Sequence, residues 1–467
     1  MRKLYWYLTA YFKKHGWVVA ATLVLAIIIF SLSLPIVFKK IEPKPHHYVG
    51  LVGEYTLFDL PSEIKNKLSV GLTTINPEDK SVTPLLAERW IAEDEGKTYR
   101  FILKEDLKWQ DGTPLTPADI HYNFKDVEII HNPNDVIFKL PDVFAPFPSV
   151  VSEPLFKTVQ ERYFFIRTRP TLIGLGEYQV LNYHKTGNYL KQITIDSPAE
   201  RITYRFYLTE KDAVLGFKKG EVDELPDLSQ LYDFADWNHI DVKKHLHTDR
   251  YLAIFFNNAD PLLNKSIRQA LSYGLSKPDD ETRVTSPIDK KSWAYLEATK
   301  GYEHDLSRAI ERLLDALPPT PLEFTLTTTA TFQPEAEQIK TEWEQLGEKA
   351  TIACERSDEV ENKQLCENLK IQVNIRVQNF PDTNDFQLLL MAQEIPPDPD
   401  QYFLWHSDQS TNFTHYKNTR IDSLLEKGRQ VTSQAERKVI YQEFQQFLLE
   451  DPPAIFLKYL ISYEIKR

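Results

Sequence analysis

Residues 17–38 (WVVAATLVLAIIIFSLSLPIVF) form an uninterrupted run of 22 residues without a charge. As a helix rising about 1.5 Å per residue, such a run reaches roughly 33 Å, enough to cross a hydrocarbon layer of about 30 Å. A cleaved secretory signal has a shorter apolar core, and it ends on small residues. Here the run ends on Pro35, Ile36, Val37, Phe38, Lys39 and Lys40, without a small-x-small site. No cysteine lies nearby to carry a lipid. The expectation is an uncleaved single-pass anchor over 17–38. Residues 1–16 would form a cytoplasmic flank and 39–47 (KKIEPKPHH) a short stiff linker. Basic residues stand on both sides, so the charge rule leans only slightly toward an N-terminus inside. Everything after Phe38 then lies on the extracytoplasmic side of the cell membrane.

Charge separates the two parts. Six basic residues against Glu42 give residues 1–42 a balance of +5, which leaves −17 of the formal −12 to the remainder. An acidic body excludes a nucleic-acid partner, because phosphates require a basic footprint. With 42% hydrophobic and 26% charged residues, the body has the composition of a globular protein long enough for two lobes. Apolar runs at 99–103, 202–208, 251–256 and 386–391 read as strands. Amphipathic segments at 306–317, 335–346, 421–430 and 434–450 read as helices, the last the longest. Interleaved strands and helices indicate an α/β arrangement. The two cysteines, Cys354 and Cys366, flank a polar stretch and suit either a disulfide outside the cell or two thiols.

Catalytic signatures are missing. The chain holds no G-x-S-x-G, H-E-x-x-H, P-loop or G-x-G-x-x-G pattern. His245 and His247 share a strand face but have no identifiable third ligand, so a hydrogen-bonded pair outweighs a metal site. No enzyme activity, cofactor or metal is expected.

Three stretches carry a resemblance. Residues 84–120 read PLLAERWIAEDEGKTYRFILKEDLKWQDGTPLTPADI, combining P-x-L-A-x-x-W, G-x-x-Y-x-F-x-L and K-W-x-D-G-x-P-x-T-x-x-D. Residues 174–180 (GLGEYQV) and 213–223 (AVLGFKKGEVD) follow. Residues 250–271 and the last 80 or so, with PDPDQYF at 397–403, complete the set. Together these resemble the family 5 extracellular solute-binding proteins of ABC transporters, whose members take oligopeptides, dipeptides or nickel. The resemblance implies a bilobal periplasmic-binding-protein-like fold of type II, in the large variant with an extra subdomain. Lobe I would span 48–260 with a subdomain inserted at about 62–165. Lobe II would span 261–452, and 453–467 would return to lobe I. Trp90, Trp109, Asp111 and Gly112 would be structural members of the signature. Thr116 would cap a helix that starts at Pro117.

The implied function is a receptor that closes on a solute and presents it to an ABC permease in the membrane. Peptide-binding members hold the ligand's ammonium group with an aspartate three residues before the D-P-D segment. That position is Ile395 here, next to Glu394, and Ala392 stands where an aromatic is common. A bulge that brings in Glu394, a peptide gripped elsewhere, and a ligand without a free amine (a metal chelate or a sugar) all remain open. Candidate ligand contacts are Gln393, Glu394, Asp398, Asp400, Tyr402, Trp405, Phe256 and Asn257. A peptide is the preferred ligand. An anchored sensor or protein-interaction module on the same fold is the alternative.

Overall fold

In the computed structural model the described residues are 13–18, 20–26, 44–163, 167–357 and 362–467. Residues 13–18 and 20–26 are helical, with Trp17, Leu23, Val24 and Leu25 exposed. Most of the anchor expected over 17–38 lies outside the described residues, as do 39–43 of the linker. Among the described residues no helix is long and apolar enough to cross a membrane. The end of the expected linker is ordered differently: His46 and His47 open the first strand of the main sheet. His46 Nε2 lies 2.9 Å from Thr203 Oγ1, and His47 lies 3.3 Å from Glu200.

That sheet has ten strands. In chain order they are β1 (His46–Val52), β2 (Gln179–Thr186), β3 (Tyr189–Asp196), β4 (Arg201–Tyr207) and β5 (Glu224–Leu228). β6 (Asp241–Phe256), β7 (Leu322–Thr328), β8 (Ile371–Val377), β9 (Leu388–Glu394) and β10 (Ala454–Lys466) follow. The spatial order is β2-β3-β4-β1-β5-β10-β6-β9-β7-β8. β1 pairs in parallel with β4 and β5, and β7 in parallel with β8 and β9. The central pairs β5–β10, β10–β6 and β6–β9 are antiparallel.

The two long strands β6 and β10 carry the sheet from one half to the other. Along β6 the burial changes with position. Residues 241–247 are exposed or half-buried, whereas 251–256 are fully buried. The reason is coverage of both faces, as in a parallel-type sheet packed between helices. Leu252, Ile254 and Phe256 face one core with helices Lys265–Tyr273, Leu306–Ala316 and Gln333–Arg356. Tyr251, Ala253 and Phe255 face another core with helices Thr419–Gln430 and Gln434–Glu450. The expectation of a strand over 251–256 therefore captured only the apolar half of β6.

Between β1 and β2 the chain builds a separate unit around a four-stranded antiparallel sheet, in the order Ala87–Glu93, Thr98–Leu103, Asp135–Lys139, Glu128–His131. Tyr99, Phe101, Phe138 and Phe147 form its core, and Trp109 is buried with them. Asp111 accepts from Thr113 N at 3.0 Å and pairs with Lys157 at 2.7 Å, while Gly112 adopts φ 81°. The signature thus shapes a turn, and Trp90 stacks obliquely on Phe101. Thr116 and Asp119 form the reciprocal cap, but the element at Pro117–Asp119 is one 3₁₀ turn and not a longer helix. Asp119 satisfies the Thr116 amide, yet the chain reaches extended backbone at Ile120.

The longest described helix is Gln333–Arg356, 24 residues, not Gln434–Glu450, which has 17. It extends ten residues past the expected end because Gly347, Ala350, Thr351 and Cys354 keep a buried face. Cys354 and Cys366 are joined by a disulfide with Cα atoms 5.6 Å apart.

Candidate ligand-binding site

A cavity of about 620 Å³ opens where β1, β5, β6 and β9 approach one another. Backbone irregularity creates the space. The β6–β10 register shifts between His247 and Tyr251, and the β5–β10 register shifts between Leu225 and Leu228. Such bulges re-aim side chains near the point where strands change partners. Asp227 comes from the irregular part of β5, His247 and Arg250 from that of β6, and Glu394 from the last position of β9. Glu63 enters from the helix Ser62–Leu68.

The lining is acidic, and most of its charges are already engaged. Arg250 can only donate, so its guanidinium at 3.2 Å makes His247 Nδ1 the acceptor. The proton then sits on Nε2, which faces Ser462 Oγ at 2.6 Å and Asp227 at 3.4 Å. The His247 hydrogen bond holds the Asp227 carboxyl below the usual carboxylate range, assisted by Arg250. Glu210 accepts from Ser229 N and Oγ and from Tyr232. Burial pushes the Glu63 carboxyl up, opposed by the Tyr204 hydroxyl that donates to it at 3.1 Å.

Glu394 differs from these. It pairs across the ladder with Arg250, which places both side chains on one face. Arg250 nevertheless turns toward Asp227 and His247. Among the described residues, the Glu394 carboxylate has neither an ion-pair nor a hydrogen-bond partner, and the residue is exposed. A second cavity of about 360 Å³ also has Glu394 in its wall, together with Gln393, Asp398, Asp400 and Gln401. Phe144, Pro146 and Val150 of the inserted unit close its other side. The two cavities meet at Glu394.

The structure therefore brings Gln393, Glu394, Asp398 and Asp400 to one place but gives them different roles. Asp398 is buried and bidentate with Arg437, at 2.6 and 3.0 Å. Asp400 pairs with Arg429 at 2.8 Å. Both carboxylates are neutralised inside the protein, because a buried charge needs a partner. Tyr402 stacks on His406 and lies under the Arg429 guanidinium, 3.7 Å from the ring centre. Trp405 is fully buried against Phe255, and Phe256 sits in the opposite core. Asn257 closes a turn, its Oδ1 accepting from Ala259 N and its Nδ2 donating to Phe386 O. Phe256, Trp405, Asn257 and Tyr402, expected as ligand contacts, thus line neither of these two cavities. Core packing on both faces of β6 explains the first two, and a local turn the third. Ile395, where an ammonium-binding aspartate was expected, is buried with the second core. Glu63, Asp227 and Arg250 were not anticipated, since no local pattern links positions so far apart. Asp227 and Arg250 are brought together by strands β5 and β6, which flank β10, and Glu63 by the helix Ser62–Leu68.

A ten-stranded mixed sheet whose two central strands run through both halves, with an acidic cavity beside their bulges, is the frame of a solute-binding protein. Residues 81–133 and 126–414 match the bacterial extracellular solute-binding proteins, family 5 Middle, and the chain belongs to that family. Its members bind solutes outside the cytoplasm and are not enzymes. The oligopeptide-binding protein AppA of Bacillus subtilis is 25% identical over 495 residues, covering 90% of this chain and 88% of that protein. The crystal structure of NikZ from Campylobacter jejuni in complex with Ni(L-His) superimposes with a TM-score of 0.67 at 21% identity, over 91% of this chain and 94% of that one. B. subtilis AppA in complex with a nonapeptide gives a TM-score of 0.61 at 18% identity, over 91% and 95%. These neighbours have the bilobal α/β fold of periplasmic binding proteins, and the present chain shares it.

Proposed function

We propose that the chain is a membrane-anchored extracytoplasmic receptor of an ABC importer that captures short peptides by their ammonium end, between two lobes. Lobe I comprises 48–260 with the subdomain inserted at about 62–165, and lobe II comprises 261–452. Residues 453–467 return to lobe I in this reading. The observation that carries the reading is Glu394, an unpaired carboxylate at the meeting point of two cavities. An ammonium group supplies the missing partner and up to three donors. Glu394 thereby replaces the aspartate absent at Ile395, one residue earlier on β9. The names of AppA and of its nonapeptide complex agree with a peptide ligand. The exposed Trp17, Leu23, Val24 and Leu25 agree with an anchor, since apolar side chains on a helix need lipid or protein around them.

A metal chelate is the second reading: the name of the NikZ complex with Ni(L-His) agrees with it, while among the described residues no three acidic, histidine or cysteine side chains converge to hold a metal ion by themselves. Calorimetric titration of the full chain in detergent separates the two. Free tripeptides should bind, whereas Nα-acetylated ones should bind weakly. Glu394→Gln should cost about tenfold or more in affinity, the worth of one charge-assisted hydrogen bond. Equal binding of free and acetylated peptides would remove the ammonium contact. Native mass spectrometry that finds only a metal complex would remove the peptide altogether.

A further inference from the structure

Arg250 and Glu394 are direct partners across the β6–β9 ladder, so their side chains leave one face about 5 Å apart at Cβ. Among the described residues, however, Arg250 forms ion pairs only with Asp227 and Asp249, at 3.7 and 3.8 Å. Its shortest polar contact is to His247 Nδ1, at 3.2 Å. That hydrogen bond exists only while the imidazole is neutral, because an imidazolium has no acceptor left and a guanidinium can only donate. The other ring nitrogen is occupied, with Nε2 2.6 Å from Ser462 Oγ and 3.4 Å from Asp227. A proton taken up by His247 therefore lands on Nδ1 and sets a second cation against Arg250. The groups around the ring are Asp227 from β5, Asp249 and Arg250 from β6, and Ser462 from β10, with Glu394 across the ladder on β9. Glu63 and Glu210 also border the cavity, but Tyr204 holds the first, and Ser229 and Tyr232 hold the second. Asp227 and Asp249 already flank the imidazole and balance its new charge. Glu394 is the carboxylate left for Arg250, within reach of a side-chain rotation.

We infer that His247 is a proton-operated release switch: once protonated, it expels Arg250, which pairs with Glu394 across the ladder and covers the carboxylate that the ligand needs. The inference rests on the reading that Glu394 holds the ammonium group. Histidine is the side chain that ordinarily changes charge between about pH 5 and 8, so the switch works in the range an extracytoplasmic protein meets. Proton and ligand then compete, and linkage makes the competition reciprocal: each weakens the other by the same factor. Binding favours the neutral imidazole, so a peptide that binds below neutral pH must drive a proton off His247. The chain would capture peptide at neutral pH and let it go as the medium acidifies.

The test is calorimetric titration of the full chain in detergent with trialanine and Nα-acetyl-trialanine, at about pH 7 and about pH 5.5. Across this window a peptide ammonium stays mostly charged and a carboxylate mostly ionised, so neither accounts for a large change. Affinity for the free peptide should fall about tenfold on acidification, as one competing proton on an imidazole produces over that interval. At about pH 5.5, buffers of different ionisation enthalpy should reveal close to one proton released per peptide bound. His247→Gln cannot take up the proton, and its affinities at the two pH values should agree within about twofold, with no proton released. Arg250→Gln keeps the titrating imidazole but removes the arm that covers Glu394, and its profile should also be flat within about twofold. A tenfold fall that persists in Arg250→Gln would mean that the imidazolium repels the ligand directly, which overturns the switch. A flat wild-type profile, with the free peptide still preferred over the acetylated one, overturns the switch while Glu394 keeps its role. Equal binding of free and acetylated peptides at about pH 7 removes the ammonium contact, and the switch falls with it.

Discussion

Asp398 and Asp400 stand two residues apart, and each is held by an arginine from the helices that follow. Asp398→Asn would leave the Arg437 guanidinium, 6% exposed, without its bidentate partner. Breaking a buried pair from one side costs about 3–5 kcal/mol, more than replacing both members by apolar residues. Urea unfolding should therefore show a large loss for Asp398→Asn and a much smaller one for Asp398→Leu combined with Arg437→Met. A single-variant loss under about 1 kcal/mol would count against the pair as a structural element. Glu63 makes the opposite prediction. Burial raises its folded-state pKa above an unfolded value of about 4.3, so within that window the native state binds more protons. Its contribution is favourable at low pH and turns unfavourable as pH rises through the folded pKa. Glu63→Gln keeps the acceptor for Tyr204 and removes the charge. It should be more stable than wild type at about pH 7, with the gap in melting temperature closing toward about pH 4. A gap independent of pH would dismiss the assignment. Neither arginine pairing was legible in the sequence, because the partners lie 29 and 39 residues apart with no periodicity to join them. The motif around 397–403 did point to this neighbourhood, but not to which of its acids would stay free.

Among the elements, strands with two buried faces were the easiest to read, since their apolar runs are short and dense. β6 shows the limit: its first half (DVKKHLH) pairs with β10 through backbone groups while its side chains are exposed or half-buried, so no hydrophobic pattern marks it. The helix Gln333–Arg356 shows another. Its last turns carry small residues and a cysteine, and their burial depends on β8 and on the 3₁₀ segment Lys363–Leu369 packed beside them. The Cys354–Cys366 disulfide, separated by 12 residues, ties that segment to the helix. Closing a loop of this size removes unfolded-chain entropy worth about 3 kcal/mol. Replacing both cysteines by serine should lower unfolding stability by about 2–3 kcal/mol without changing far-UV circular dichroism in native buffer. No loss in the denaturant midpoint would show that the bond constrains nothing in the unfolded chain.

For the whole molecule, the continuous sheet means that its two halves are joined through β6 and β10, with a register shift in the middle of both pairings that involve the larger cavity. Under the proposed function this interrupted ladder is the joint on which the two lobes would close on ligand. Away from the joint, the inserted unit touches the second half directly. Lys80 reaches Asp289 at 3.3 Å, the Trp293 amide donates to Asp79 O at 2.8 Å, and the Ala145 amide donates to Arg429 O at 2.7 Å. Under the proposed function these contacts belong to the closed arrangement and must break when the halves part. The Asp289 side chain is 4% exposed, so its attraction to Lys80 is little screened. Lys80→Ala should therefore shift the ligand-free population toward the open form. The radius of gyration from small-angle scattering should rise, and a saturating peptide should bring it back. Affinity should fall by the same factor as the closed population, on the order of tenfold for a contact worth about 1.4 kcal/mol. That equality of factors distinguishes a clasp from a contact that merely stabilises the fold. A Lys80→Ala chain with unchanged scattering and unchanged affinity would mean that the inserted unit and the second half stay together whatever the ligand does.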